Sequence, residues 1–142
     1  HGHAYGTATT FKASMDLAKK YDCLYSTQTQ TIPGMKCAGM GWYQFGASPE
    51  GQLKEDLTSY IVKDTDGLLQ YDYGYLITHC GWADKVLFDL SSFNLCRVKD
   101  LEALTSEEVK NWIQENHVEL ITYKDLPYHH KDLPVEYHPF GM

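Results

Sequence analysis

The sequence predicts an α+β fold: a largely antiparallel sheet of about five to seven strands with two short helices, in one domain. Three observations carry this expectation. The length of 142 residues, with 43% apolar and 22% charged side chains, suits a single globular domain spanning residues 1–142. Several short runs rich in Tyr, Thr, Ile and Val alternate in strand fashion between Gly, Pro and Asp-Gly punctuation. Only two segments carry clear helical spacing and capping.

Taken in order, Thr10 is positioned to cap a helix from Phe11 to Tyr21, where Phe11, Met15, Ala18 and Asp22 follow the helical period. Lys19 and Lys20 near its end complement the helix dipole. From Tyr21 to Ile32 the pattern changes to alternation, read as a strand stopped by Pro33-Gly34. The glycine-bounded stretch Gly39–Gly46, with Trp42 and Tyr43, reads as a short strand before the turn at Ser48–Gly51. Leu57–Lys63 and Leu68–Thr78 read as hairpin arms about the turn Asp64-Thr65-Asp66-Gly67. Lys85–Phe93 reads as a further strand. Thr105 and Glu108 make a capping box for a second helix with Val109, Trp112 and Ile113 on its apolar stripe, and Asn116 ends it. Val118–Tyr123 is read as the last strand, and residues 125–142 as an extended C-terminal tail with three prolines. No repeat or linker divides the chain.

The charge balance narrows the partners. Twelve basic residues against nineteen acidic ones give a net charge of −7, and Arg97 is the only arginine. Nucleic-acid binding draws on Lys and Arg to neutralise phosphates, so nucleic acid is not an expected partner. No apolar run has the ~18 residues of a membrane span. The four cysteines, Cys23, Cys37, Cys80 and Cys96, form no C-x-x-C pair, and their even count suggests two disulfides in any of three pairings. That suggests an extracytoplasmic setting, with any secretory signal already removed or never present.

Five groups of residues could carry chemistry. The opening His1-Gly2-His3 offers an amine and imidazoles suited to the tetragonal preference of copper. A brace built from His1 with a second histidine such as His79 resembles the copper site of lytic polysaccharide monooxygenases, whose mature chains begin with His; the resemblance implies a copper-dependent oxidase. The same three residues are also what a trimmed affinity tag leaves behind. In the tail, His129, His130 and His138 lie among Asp125, Asp132 and Glu136, a zinc-type donor set without helix-borne spacing. His79-Cys80 contains a base and a nucleophile, but neighbours on a strand point apart, which favours a structural Cys80.

The segment Tyr5–Phe11 followed by a helix through Ala18 and Tyr21 resembles the strand-then-helix element of ADP-ribosyltransferases, with Leu87–Leu90 and Trp112-Ile113 similar to later elements. That resemblance implies NAD as a substrate and a Glu for which no position stands out. Last, Tyr71, Tyr73 and Tyr75 share one strand face and, with Trp42 and Tyr43, form an aromatic platform able to stack on sugars or anchor a protein.

The expected function is therefore a small secreted, disulfide-stabilised binding domain that recognises protein or carbohydrate through Trp42, Tyr43, Tyr71, Tyr73 and Tyr75. The alternatives are a copper protein using His1, His3 and His79, and an ADP-ribosyltransferase-like enzyme.

Overall fold

The computed structural model describes residues 7–39, 41 and 43–135. The chain forms two compact units, His1–Met35 with Leu120–Met142, and Lys36–Glu119.

In the first unit, α1 (Ala8–Lys20) starts at Thr7. Its hydroxyl accepts from Thr10 N while Thr7 N donates to the Thr10 hydroxyl, both at 3.2 Å. The cap lies three residues ahead of the expected one, because the Thr7/Thr10 pair satisfies free N–H groups from both sides. Asp22 leaves the helix in the left-handed region (φ 51°), and Cys23 N returns to Ala18 O at 2.8 Å. The expected strand Tyr21–Ile32 is instead the short helix α2 (Ser26–Thr29), and Phe11 meets Tyr25 edge-on with ring centres 5.6 Å apart. The buried Gln28 amide clamps the late segment: Nε2 donates to His130 O (2.8 Å) and Leu133 O (3.0 Å), and Oε1 accepts from Tyr25 N (2.9 Å). Leu126 is buried in this unit and His130–Asp132 make a 3-10 turn.

The second unit is mostly helical, which corrects the expectation of a five-to-seven-stranded antiparallel sheet. Among the described residues only β1 (Met35–Cys37) and β2 (Tyr73–Tyr75) are strands; they pair in parallel, and Ala38 N extends the pairing to Tyr75 O at 2.9 Å. The run read as a hairpin arm at Leu57–Lys63 is α4 (Leu57–Val62), and Lys85–Phe93 contains α5 (Lys85–Leu90). The capping side chains explain both reversals. Asp56 accepts from Ser59 N, and Asp84 accepts from Leu87 N, each supplying the acceptor that a helix start lacks. Leu57, Tyr60 and Ile61 also fit the i, i+3, i+4 period as well as they fit alternation. Leu68–Gln70 is a 3-10 turn entered through Gly67 at φ 66°, and Val118–Tyr123 forms no strand.

Helix α3 (Pro49–Gln52) admits only glycine at position 51, where a Cβ would lie 2.1 Å from Phe45 O. Then α6 (Leu95–Thr105) and α7 (Glu107–Glu115) meet at one residue. Ser106 ends α6 by donating to Ala103 O (2.8 Å) and starts α7 by accepting from Val109 N (3.2 Å). Thr105, the expected cap, points back to Leu101 O instead. Helices α4, α6 and α7 pack on one another about Leu57 and Ala103, with Tyr43, Tyr60, Ile61 and Leu76 against them.

All four cysteines are free, so the expected disulfides are absent; Cys23 and Cys80 are exposed and Cys96 is fully buried. No described helix is long and apolar enough to cross a membrane.

Candidate functional site

The interior of the second unit is unusually polar. Gln52, Glu55 and Asp100 are all buried. Buried polar groups are tolerated when their hydrogen-bonding capacity is met, and two of these three do structural tasks. Gln52 Nε2 donates to Ala47 O and Ser92 O, both at 2.7 Å, while Oε1 accepts from Asn94 N (2.9 Å) and Cys96 N (3.3 Å). It thereby ties α3 to the start of α6. Glu55 accepts from Gln44 N and Phe45 N, each at 3.2 Å.

Asp100 is different, because it supports a histidine. The carboxylate, 1% exposed, sits on α6 and its Oδ2 accepts from His79 N at 2.9 Å. The same oxygen takes a short hydrogen bond from the Tyr43 hydroxyl. Arg97, one turn earlier on α6, secures the other side of this segment: Nη1 donates to His79 O (3.4 Å) and Nε to Phe93 O (2.9 Å). Gly81 N returns a bond to Arg97 O at 3.1 Å. A Cβ at Gly81 would come within 3.3 Å of both Arg97 and Leu87, so glycine allows the chain to run this close to the two helices.

The His79 imidazole is thus mounted on a backbone held at its N–H, its carbonyl and two residues on. Its ring lies against Tyr43 (6.1 Å between centres) and Phe93 (6.5 Å, edge-on). Nδ1 is buried and has no hydrogen-bond partner among the described residues. His130 Nδ1 in the first unit is in the same condition; its backbone N–H donates to the exposed Asp22 carboxylate at 3.1 Å and its carbonyl accepts from Gln28 Nε2 at 2.8 Å. Beneath the site, burial and the neighbouring Asp100 charge push the Cys96 thiol up to about 11, which keeps it neutral and unreactive.

The residues singled out in the sequence are distributed as follows. His79 is at the centre and Tyr43 helps to hold Asp100. Tyr73 and Tyr75 are half-buried on the same side of β2, and Tyr71 precedes the strand, exposed, with Lys36 Nζ 5.7 Å from its ring centre. His1, His3, Trp42, His138 and Glu136 lie outside the described residues. His129 Nδ1 pairs with Asp22 at 2.8 Å. No group of three or more His, Cys, Asp or Glu side chains is arranged to hold a metal among the described residues. Two shallow depressions are present, one of about 500 Å³ at Lys19, Asp22, His130 and Lys131, and one of about 270 Å³ around Gln44, Lys54, Ser59 and Tyr60; neither is lined by His79. Asp100, Phe93 and the positioning use of Arg97 escaped the sequence reading, since a carboxylate twenty-one residues from its histidine leaves no local pattern.

The chain is similar to carbohydrate deacetylase 2 of Listeria innocua, with 38% identity over 72 residues, covering 51% of this chain and 29% of that protein. It is also similar to a carbohydrate deacetylase of Clostridium beijerinckii, 38% identical over 66 residues, covering 46% of this chain and 27% of that protein. The chain spans less than a third of either relative. Among solved structures it shares a fold with a proposed cellobiose-phosphate cleavage protein of Enterococcus faecalis V583. That likeness has a TM-score of 0.53 at 20% identity, over 87% of this chain and 50% of that one. No family model matches.

These relatives overturn the expectation of a secreted disulfide-stabilised binding domain, together with its copper and ADP-ribosyltransferase alternatives. The free cysteines remove the physical ground for the first. Leu87–Leu90, matched to a later transferase element, lies within helix α5. Carbohydrate, one of the expected partner classes, accords with the relatives' names.

Proposed function

We propose that this chain forms part of a carbohydrate deacetylase and contributes His79 as its proton-transferring group. The observation that carries the reading is the 38% identity to carbohydrate deacetylase 2 over half of the chain. The geometry supports it independently. Hydrolysis of an acetyl group adds water to the acetyl carbonyl, breaks the bond to the sugar's nitrogen or oxygen, and returns a proton to that atom as acetate leaves. Histidine is the side chain best suited to move this proton near neutral pH. A base or acid contributes when it is positioned; Asp100 and Arg97 hold the backbone of His79, and its ring lies beside Tyr43 and Phe93. The unpartnered Nδ1 leaves one nitrogen for a group that the described residues do not supply.

The test is acetate release from N,N′-diacetylchitobiose by the protein that carries this chain. The proposal expects enzyme-dependent acetate at a rate proportional to protein. Saccharide binding without acetate, on this and on O-acetylated sugars, contradicts it.

A further inference from the structure

We infer that the indole of Trp82 is a stacking surface for a sugar ring of the saccharide handled at His79, an inference that rests on the deacetylase reading. Trp82 is 77% exposed, an uncommon state for the largest apolar side chain. Its backbone is not loose. Gly81, immediately before it, is bonded to Arg97 O and pressed between Arg97 and Leu87. Trp82 O in turn accepts from Asp84 N at 3.0 Å, in the residue that caps α5. An exposed ring on a fixed mount loses little freedom when a ligand settles on it, which is what a preorganised recognition element requires.

Its location supplies the chemistry of the ligand. Trp82 follows His79 by three positions, so their Cα atoms lie at most about 11 Å apart, within the reach of a disaccharide. The apolar C–H face of a pyranose fits the π-face of an indole, whose N–H stays free to bond a hydroxyl. Trp82 therefore serves as a binding and specificity residue for a ring next to the acetylated one, distinct from the proton chemistry at His79. Val86 and Leu90, 63% and 82% exposed on the helix that follows, are further exposed apolar side chains and make a protein interface the competing occupant. The sugar is favoured because Trp82 and His79 issue from one braced turn, and because the relatives act on carbohydrates by name.

The experiment compares native protein with Trp82→Ala and Trp82→Tyr. It measures affinity for cellobiose and N,N′-diacetylchitobiose by calorimetry, acetate release from the latter, and sedimentation. The inference expects Trp82→Ala to weaken binding and raise KM about tenfold with kcat within about twofold, and Trp82→Tyr to stay within about threefold of native. Far-UV circular dichroism confirms that each variant is folded. Unchanged affinity and KM in Trp82→Ala, with acetate still released, overturns the inference and leaves the deacetylase reading standing. Trp82-dependent saccharide binding without acetate release from native protein upholds the stacking role and sinks the deacetylase reading. Loss of self-association in Trp82→Ala with sugar affinity intact assigns the ring to a protein interface and overturns the inference, as does a folded native protein that binds neither sugar.

Discussion

Replacing Asp100 tests the anchoring of the site by energy alone. In Asp100→Ala the Tyr43 hydroxyl and the His79 N–H both lose the oxygen they share. A buried donor left without a partner costs about 1–3 kcal/mol. Two such donors, less the relief of no longer burying a carboxylate, give a net loss of about 3 kcal/mol. Asp100→Asn retains an oxygen that accepts from both groups and forfeits only the charge-assisted increment, about 1 kcal/mol. With a urea m-value near 1.5 kcal/mol/M, the expected midpoint shifts are about 2 M for Asp100→Ala and about 0.7 M for Asp100→Asn, followed by far-UV circular dichroism. Tyr43→Phe combined with Asp100→Asn completes a double-mutant cycle, and the two changes should couple by more than about 0.5 kcal/mol. An alanine variant within about 0.5 kcal/mol of native, or an asparagine variant as unstable as the alanine one, refutes the anchoring role.

Four other outcomes follow from the same contacts. Gln52→Leu strips four backbone groups of their partner and should destabilise by about 2–4 kcal/mol, read as a lowered urea midpoint; a neutral result means water replaces the amide. An exposed thiol ionises near 9.0 whereas Cys96 does so at about 11, so the unfolded chain loses a proton first and stability falls as pH rises through that window. Cys96→Ala should flatten this alkaline slope, measured by thermal midpoints, and native protein should expose Cys23 and Cys80 to a thiol reagent well before Cys96. The hydrogen bond from His129 holds the Asp22 carboxyl below its usual 3.8, so its contribution is present above that pH and is lost as pH falls through the lower folded value. Asp22→Asn should therefore show a shallower decline in thermal midpoint on acidification, and an unchanged profile removes the ion pair from the account.

The sequence was most informative where local chemistry decided structure. The stripe Val109, Trp112, Ile113 and the end at Asn116 mark α7 correctly, and the helix through Phe11 and Ala18 is present with its cap displaced to Thr7. It misled where periodicity competed with capping. Leu57–Val62 and Lys85–Leu90 are only six residues each, too short for alternation and helical spacing to separate, and the caps Asp56 and Asp84 decide for the helix. Helix α6 shows no clean apolar stripe in the sequence, because Arg97 and the buried Asp100 stand among its apolar residues. His79 was legible as a chemically interesting residue, and Tyr43 as an aromatic one. Their meeting at Asp100 depends on contacts twenty-one and fifty-seven residues apart, which no local pattern encodes.

The measurement closest to the central claim is acetate release from N,N′-diacetylchitobiose by native protein and by His79→Gln, which keeps the side chain polar and leaves the backbone bonds of residue 79 to Asp100 and Arg97 in place. The account predicts a fall in kcat of about a hundredfold or more with an unchanged urea midpoint. A His79→Gln protein that releases acetate at the native rate contradicts it.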